Sequence, residues 1–342
     1  MIKLNPTEEQ YRMLLDTMHR FNKACNEIAD TVFQMRKANK VEVHHAVYYD
    51  IRRKYGLSAQ LTVRAISKVV EAYKRDKSIK PQFRPDGAIV YDQRILSWKG
   101  LEAVSITTLQ GRQIVPIVIG NYQRARLDRV RGQADLILVD GIFYLGVVVE
   151  VTEEPQYKPQ GVLGVDVGVK YLAVDSDGEV HTGEKIKEIR ERTDSLKARL
   201  QSKGTKSAKR HLKKLSKRTA RFTKDTNHCI SKRLVAKAKD TLRAIAIEDL
   251  DGIRSRVTVR KAQRRSLHTW SFYQLRQFLA YKAAIAGVPL ILVDPRNTSR
   301  TCPSCGHVSK ANRPTRDEFR CESCGFAGPA DYIAATNIAF RA

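Results

Sequence analysis

Residues 301–339 read TCPSCGHVSKANRPTRDEFRCESCGFAGPADYIAATNIA. Cys302, Cys305, Cys321 and Cys324 form a C-x2-C-x15-C-x2-C pattern, and each pair is followed by a glycine, Gly306 or Gly325, that suits a tight turn. Four thiolates close a tetrahedral site with no open position, so the pattern predicts one structural Zn2+ and not a catalytic metal. His307 stands beside the first pair, but four cysteines already fill the coordination. The stretch then closes on Asp331, an acidic residue at the head of a helix of small residues. A closed zinc site does no chemistry, so the carboxylate next to it needs a separate explanation.

Two further acidic residues end apolar runs. Asp166 follows VLGV, and Glu248 follows AIAI. A carboxylate at the end of a buried strand is costly unless it meets a partner or a cation. Taken singly, each acid has an ordinary reading: Asp166 as a turn residue, Glu248 as a strand-end charge, Asp331 as a helix N-cap. Asp175 and Asp177 compete with the first, and Asp249 and Asp251 with the second.

The element order joins the three. The strand GVLGVDVG is followed by a hairpin, YLAVDSDGEVHTG, turning at Ser176-Asp177-Gly178. After a basic helical stretch come the strand LRAIAIEDL, the amphipathic helix HTWSFYQLRQFLAYKAAIAG closed by Gly287, the strand VPLILVDP and the zinc module with its helix. This is the order of an RNase H-like mixed sheet, in which the first strand, the fourth strand and the last helix converge on one edge. Three carboxylates there would hold two Mg2+ or Mn2+ ions about 3.5–4 Å apart. One ion would activate water and the other would stabilise the leaving 3′-oxygen of a phosphodiester. Hard oxygen donors suit those ions and not zinc.

The first half reads differently. After MIKL and Pro6, Thr7 and Gln10 form a capping box, and Tyr11, Leu14, Leu15, Met18, Phe21, Cys25, Ile28 and Val32 recur at helical spacing. A second helical pattern runs through LTVRAISKVVEAYKRD, so residues 7–77 read as helical. From Lys80 to residue 152 short β-branched segments follow, with Asp140-Gly141 as a hairpin turn. They predict an antiparallel barrel or sandwich that the MIKL segment joins as another strand, making the helices an insertion.

Sixty-two Lys and Arg against 36 Asp and Glu give a net charge of +26 over 342 residues. Self-repulsion on that scale points to a polyanionic partner, and nucleic acid is the first choice. The surplus is one-signed between residues 185 and 240, where Leu196, Leu200, Leu212 and Leu215 suggest a helical hairpin with one apolar stripe. Lys209, Arg210, Lys213, Lys214, Lys217, Arg218 and Arg221 are its candidate phosphate contacts. No apolar run approaches the roughly 18 residues of a membrane span, and MIKLNPTEEQ lacks the pattern of a signal peptide. The expected location is the cytoplasm or nucleoid, with Cys25 and Cys229 reduced and buried.

At these residues the chain resembles the TnpB (OrfB) family of transposon-encoded RNA-guided nucleases, relatives of the type V CRISPR effectors. GVDVGVKYLAV is similar to the first RuvC motif and IAIEDLDGI to the second; TSRTCPSCG, RCESCG and ADYIAATNIA resemble the zinc ribbon and the third. The resemblance covers most of residues 160–342 and places the catalytic carboxylates at Asp166, Glu248 and Asp331. It implies a RuvC-like nuclease domain over 156–342, with the basic hairpin at 185–240 and the zinc ribbon at 297–329. Over 1–155 the resemblance is one of layout: a wedge-like β-barrel from 1–6 and 78–155, and a helical recognition domain at 7–77. It further implies a guide RNA encoded near the gene, a DNA target with a short flanking motif, and a monomer bound to its RNA. Where the family commonly has Asn two residues after the third Asp, this chain has Ile333.

Overall fold

The computed structural model describes residues 1–168, 170–216, 218–249 and 272–342, which divide into two units, Met1–Val151 and Thr152–Ala342. Lys217, Asp251 and residues 268–271 of the expected amphipathic helix lie outside the described residues. Among those described, no helix is long and apolar enough to cross a membrane.

The first unit begins with β1 (Ile2–Leu4) and three helices, α1 (Glu8–Met35), α2 (Lys40–Tyr55) and α3 (Ala59–Arg75). Thr7 and Gln10 close the capping box reciprocally, at 3.2 and 3.1 Å. Arg36 and Gly56, both left-handed, end α1 and α2, and Asn39 and Ser58 restart the chain as N-caps. The strands are β2 (Ile89–Tyr91), β3 (Leu96–Lys99), β4 (Ala103–Thr108) and β5 (Gly111–Val118), then a short helix α4 (Asn121–Arg124), β6 (Val130–Val139) and β7 (Ile142–Val149).

These seven strands form one antiparallel sheet in the order β2-β6-β7-β1-β5-β4-β3. The sheet is nearly closed, in keeping with the expected barrel, with β2 and β3 at the two ends of the strand order. Asp92 splits one of the β-branched segments, AIVYDQRILSW (residues 88–98), into β2 and β3. Its carboxylate accepts from Arg64, Gln60 and the Arg94 N–H, which turns the chain between β2 and β3. Asp140 and Gly141, both at positive φ, make the turn joining β6 to β7.

The second unit is built on β8 (Gly161–Asp166), β9 (Tyr171–Asp175) and β10 (Val180–Thr182). Three helices follow, α5 (Glu184–Lys203), α6 (Lys206–Leu215) and α7 (Arg218–Asp240). The expected hairpin is a three-helix run: Gly204 (φ +62°) and the N-cap Thr205 separate α5 from α6, and α6 ends at Leu215 before α7 begins at Arg218. Next come β11 (Arg243–Glu248), α8 (Phe272–Ala286), β12 (Leu290–Val293), β13 (Glu318–Arg320), β14 (Ala327–Pro329) and α9 (Ala330–Phe340).

The mixed sheet runs β10-β9-β8-β11-β12, with β8, β11 and β12 parallel and the β9–β10 arm antiparallel. Period-two alternation sorts its faces. Leu163, Val165, Ile245 and Ile247 pack with Leu234 and Val235 of α7 and Leu275 and Leu279 of α8. Ala246 and Val293 meet Ile338 of α9 on the other face. Large residues on one face and small ones on the other let α9 lie close. Cys25 is buried, whereas Cys229 is exposed on α7, contrary to expectation. Position 229 falls on the outer side of a helix that buries Ile230 and Leu234.

Candidate active site

Asp166 is the last residue of β8 and Glu248 the last of β11. The strands are parallel neighbours with Val165 opposite Ile247, so both acids leave the sheet at the same edge. The third acid comes from α9, and a glycine admits it. A Cβ on Gly164 would stand 2.1 Å from the Ala335 carbonyl oxygen and 2.6 Å from the Ala339 nitrogen. The α9 backbone therefore lies directly on β8. Asp331 is one helical turn before Ala335, and Asp166 two residues beyond Gly164, which brings the charge of Asp331 to bear on Asp166.

The electrostatics follow from this convergence. Burial pushes the Asp166 carboxyl up to about 7, the charges of Glu248 and Asp331 add to the rise, and Arg313 opposes it. Burial also raises Glu248, against the Thr298 hydroxyl and the charge of Arg341. Asp331 is held by Arg313, whose Nη2 lies 3.0 Å from Oδ1. These are the shifts of buried acids gathered with little positive charge beside them.

The competing acids behave differently. Arg243 grips Asp177 with two bonds of 2.8 and 2.7 Å and holds its carboxyl well below the usual carboxylate range. Asp175 is buried with the Lys237 ammonium 2.5 Å from its Oδ2, and Asp249 pairs with Arg276 at 2.7 Å. Lys237 of α7 and Arg276 of α8 tie Asp175 and Asp249 to the helices, and Arg243 ties Asp177 to β11.

The four cysteines come together. Their sulfurs all lie within 4.8 Å of one another, with Cys302–Cys324 and Cys305–Cys321 each at 3.6 Å. Zinc–thiolate bonds of about 2.3 Å in a tetrahedron set sulfur–sulfur separations of about 3.8 Å, so the cluster fits that geometry. Gly306 and Gly325 both adopt positive φ, +75° and +76°, as the two turns require. Among the described residues this is the one group of three or more such side chains gathered so tightly. The three carboxylates stand wider apart.

Three residues of the site carry no signal in the sequence. Thr298, buried just before the first cysteine pair, donates its hydroxyl to Glu248 Oε1. Asn337 on α9, also buried, donates to the carbonyls of Thr298 and Thr301, at 2.8 Å each. Arg313 reaches Asp331 from within the ribbon. Each is a single polar residue in a chain full of them, and only the fold joins it to its partner. Ile333 packs with Cys302, Phe319, Cys321 and Ala330, so it seats the ribbon on α9 instead of facing the acids.

On the basic helices, Lys209, Arg210, Lys213, Lys214, Arg218 and Arg221 are exposed. Ala208 and Leu215 are the buried positions of α6. Leu196, Leu200 and Leu212 are partly buried, which matches the stripe read from their spacing.

Residues 272–338 match the family model described as Cas12f1-like, TNB domain, and residues 146–253 match the OrfB_IS605 model, described as probable transposase. The TnpB-like protein MJ0751 of Methanocaldococcus jannaschii is 31% identical over 189 residues, covering 52% of this chain and 67% of that protein. The CRISPR-associated endodeoxyribonuclease Cas12f1 of Sulfoacidibacillus thermotolerans is 38% identical over 129 residues, covering 37% of this chain and 29% of its own length. The chain thus spans less than half of that relative. In fold it is similar to Cas12f1 as seen in a cryo-EM structure of a Cas12f1–sgRNA–target DNA complex. The TM-score is 0.62 at 16% identity, over 95% of this chain and 82% of that one.

Proposed function

The chain belongs to the TnpB family, and from that membership we propose that it is a transposon-associated, RNA-guided DNA endonuclease that hydrolyses target DNA beside a short flanking motif. The observation that carries the reading is the convergence of Asp166, Glu248 and Asp331 on one edge of the mixed sheet. A buried carboxylate such as Asp166, crowded by the charges of Glu248 and Asp331, is poor ion-pair material and a good ligand for a hard cation.

The donor set fits Mg2+ or Mn2+. Three carboxylates at one sheet end would serve a pair of such ions. Bound there, the ions supply an activated water and charge stabilisation at the leaving 3′-oxygen. The chain's own part is to aim the three carboxylates, hold Asp331 through Arg313, and dock the ribbon beside them. The four cysteines take a structural Zn2+.

In this reading residues 156–342 are the RuvC-like nuclease, 7–77 the recognition helices, and 1–6 with 78–155 the wedge. The exposed cations of α6 and α7 contact phosphates, while base pairing by a guide RNA encoded beside the gene chooses the target. The protein acts as a monomer with its RNA in the cytoplasm. The test is Mg2+-dependent cleavage by the RNA-loaded protein. Asp166→Ala, Glu248→Ala and Asp331→Ala should each abolish it while leaving RNA affinity within about twofold, since that affinity rests on Lys and Arg. Cleavage retained by any one variant removes that residue from the site. A guided protein that binds its target without cutting in Mg2+ would instead be a regulator.

A further inference from the structure

The zinc module and the carboxylates are joined by one side chain. After β12 the chain turns at Asn297, whose φ of +61° is a left-handed conformation that few non-glycine residues adopt. The turn is closed by the N–H groups of Arg300 and Thr301, both 3.0 Å from the Asn297 carbonyl, and by the Thr301 hydroxyl at 2.7 Å. It sends Thr298 back to the sheet edge, where its hydroxyl meets Glu248, fifty residues earlier in the chain. The hydroxyl has one proton and two acceptors in reach, Glu248 Oε1 and the Pro295 carbonyl at 3.1 Å, and the Glu248 contact is the shorter. Thr298 is 2% exposed, so little water competes for that proton.

Its backbone is fixed from the other side. The Asn337 amide donates to both the Thr298 and Thr301 carbonyls. Asn337 lies on α9, the helix that carries Asp331. Thr301 leads directly into Cys302, the first cysteine of the cluster. Thr298 is therefore where the ribbon, the Asp331 helix and the Glu248 strand meet.

We infer that Thr298 is a positioning residue for Glu248, fixing Oε1 so that Oε2 faces the cation site, with Asn337 holding Thr298 in register. The inference rests on the reading of Glu248 as a divalent-cation ligand. A carboxylate tethered at one oxygen loses the rotation that would otherwise have to be frozen out when the ion binds. Outer partners of this kind typically set metal affinity by tenfold or more.

The experiment uses the full-length protein and Mn2+ alone, with binding read by electron paramagnetic resonance and cleavage measured in parallel. Thr298→Val keeps the shape and removes the hydroxyl; Thr298→Ser keeps the hydroxyl. Thr298→Val should weaken Mn2+ binding by about tenfold and slow cleavage by a similar factor. Thr298→Ser should restore most of both. In a Glu248→Gln background, Thr298→Val should cost little more, because both changes act on the same carboxylate. Zinc content guards against a trivial cause: loss of the ribbon zinc in Thr298→Val makes the residue structural and overturns the inference. Unchanged Mn2+ affinity in Thr298→Val, equal damage in Thr298→Ser, or additive losses with Glu248→Gln would also overturn it. The binding arm stands apart from catalysis. A chain that binds Mn2+ in a Thr298-dependent way yet cuts no DNA would refute the nuclease reading and leave the positioning role intact.

Discussion

Gly164 on β8 and Ala335 on α9 approach so closely that a Cβ on the glycine would stand 2.1 Å from the Ala335 carbonyl oxygen. No side chain can move aside to relieve that overlap, because the obstacle is backbone. The contact sets the depth at which α9 lies, and with it the distance from Asp331 to Asp166. Gly164→Ala should therefore destabilise the second unit by about 3 kcal/mol or more and abolish cleavage. Gly161 on the same strand is the control. A Cβ there meets only the Arg243 side chain at 3.7 Å, so Gly161→Ala should be tolerated. Denaturant melts of the two variants decide it, and equal stability would show that α9 does not rest on β8 as described.

The raised acid at Asp166 gives a pH dependence of known sign. Its carboxyl titrates at about 7 when folded, against 3.8 for an unperturbed Asp. The folded state holds the proton more tightly than the unfolded chain. Without added Mg2+, this group therefore costs stability as pH rises from about 4 to 7, and the cost is complete above 7. Glu248 is raised too and acts in the same direction. Asp166→Asn should stabilise the Mg2+-free protein at pH 8 by roughly 1–3 kcal/mol, and the gain should shrink as pH falls toward 4. Thermal melts across that range would contradict the account if the gain were flat or grew toward low pH.

The ribbon buries only Cys302, Phe319 and Cys321, against Ala330 and Ile333 of α9, too few residues to fold on apolar burial alone. One tightly bound Zn2+ per chain is expected by elemental analysis. Cys302→Ser combined with Cys305→Ser should lose it and loosen the ribbon, while the five-stranded sheet keeps its separate core of Leu163, Val165, Ile245 and Ile247. Protein purified without chelator that carries no zinc would defeat this.

Lys209, Lys213 and Lys214 are exposed on a helix that buries only Ala208 and Leu215. If they meet phosphates, replacing all three by Ala should weaken nucleic-acid binding at low salt. It should also flatten the plot of log affinity against log salt by about 2–3 units of slope. An unchanged slope would mean that these cations serve solubility instead.

Much of the second unit was legible because its signals are local. Acids directly after VLGV and AIAI, paired cysteines followed by glycine, and a small-residue helix each show in a few consecutive residues. The helix break after Leu215 and the split segment at Asp92 were harder to see. Their apolar patterns continue across the break, and at Asp92 the break is made by Arg64 and Gln60, 28 and 32 residues away. Thr298, Asn337 and Arg313 could not be read at all. Their roles exist only once β12, the ribbon and α9 are folded together, over separations of 18 to 50 residues. Ile333 shows the reverse case: its departure from the family pattern is plain in the sequence, but that it packs the ribbon against α9 is visible only in the fold.

The central claim is that three carboxylates cut DNA that an RNA has chosen. The most direct measurement is to sequence the RNA that copurifies with the protein, rewrite its guide segment, and follow cleavage in Mg2+. The account predicts one discrete RNA and cleavage that moves to the new complementary sequence. If the RNA is heterogeneous, or if RNA-free protein cuts with the same preference, the guided mechanism is wrong and the fold serves an unguided nuclease.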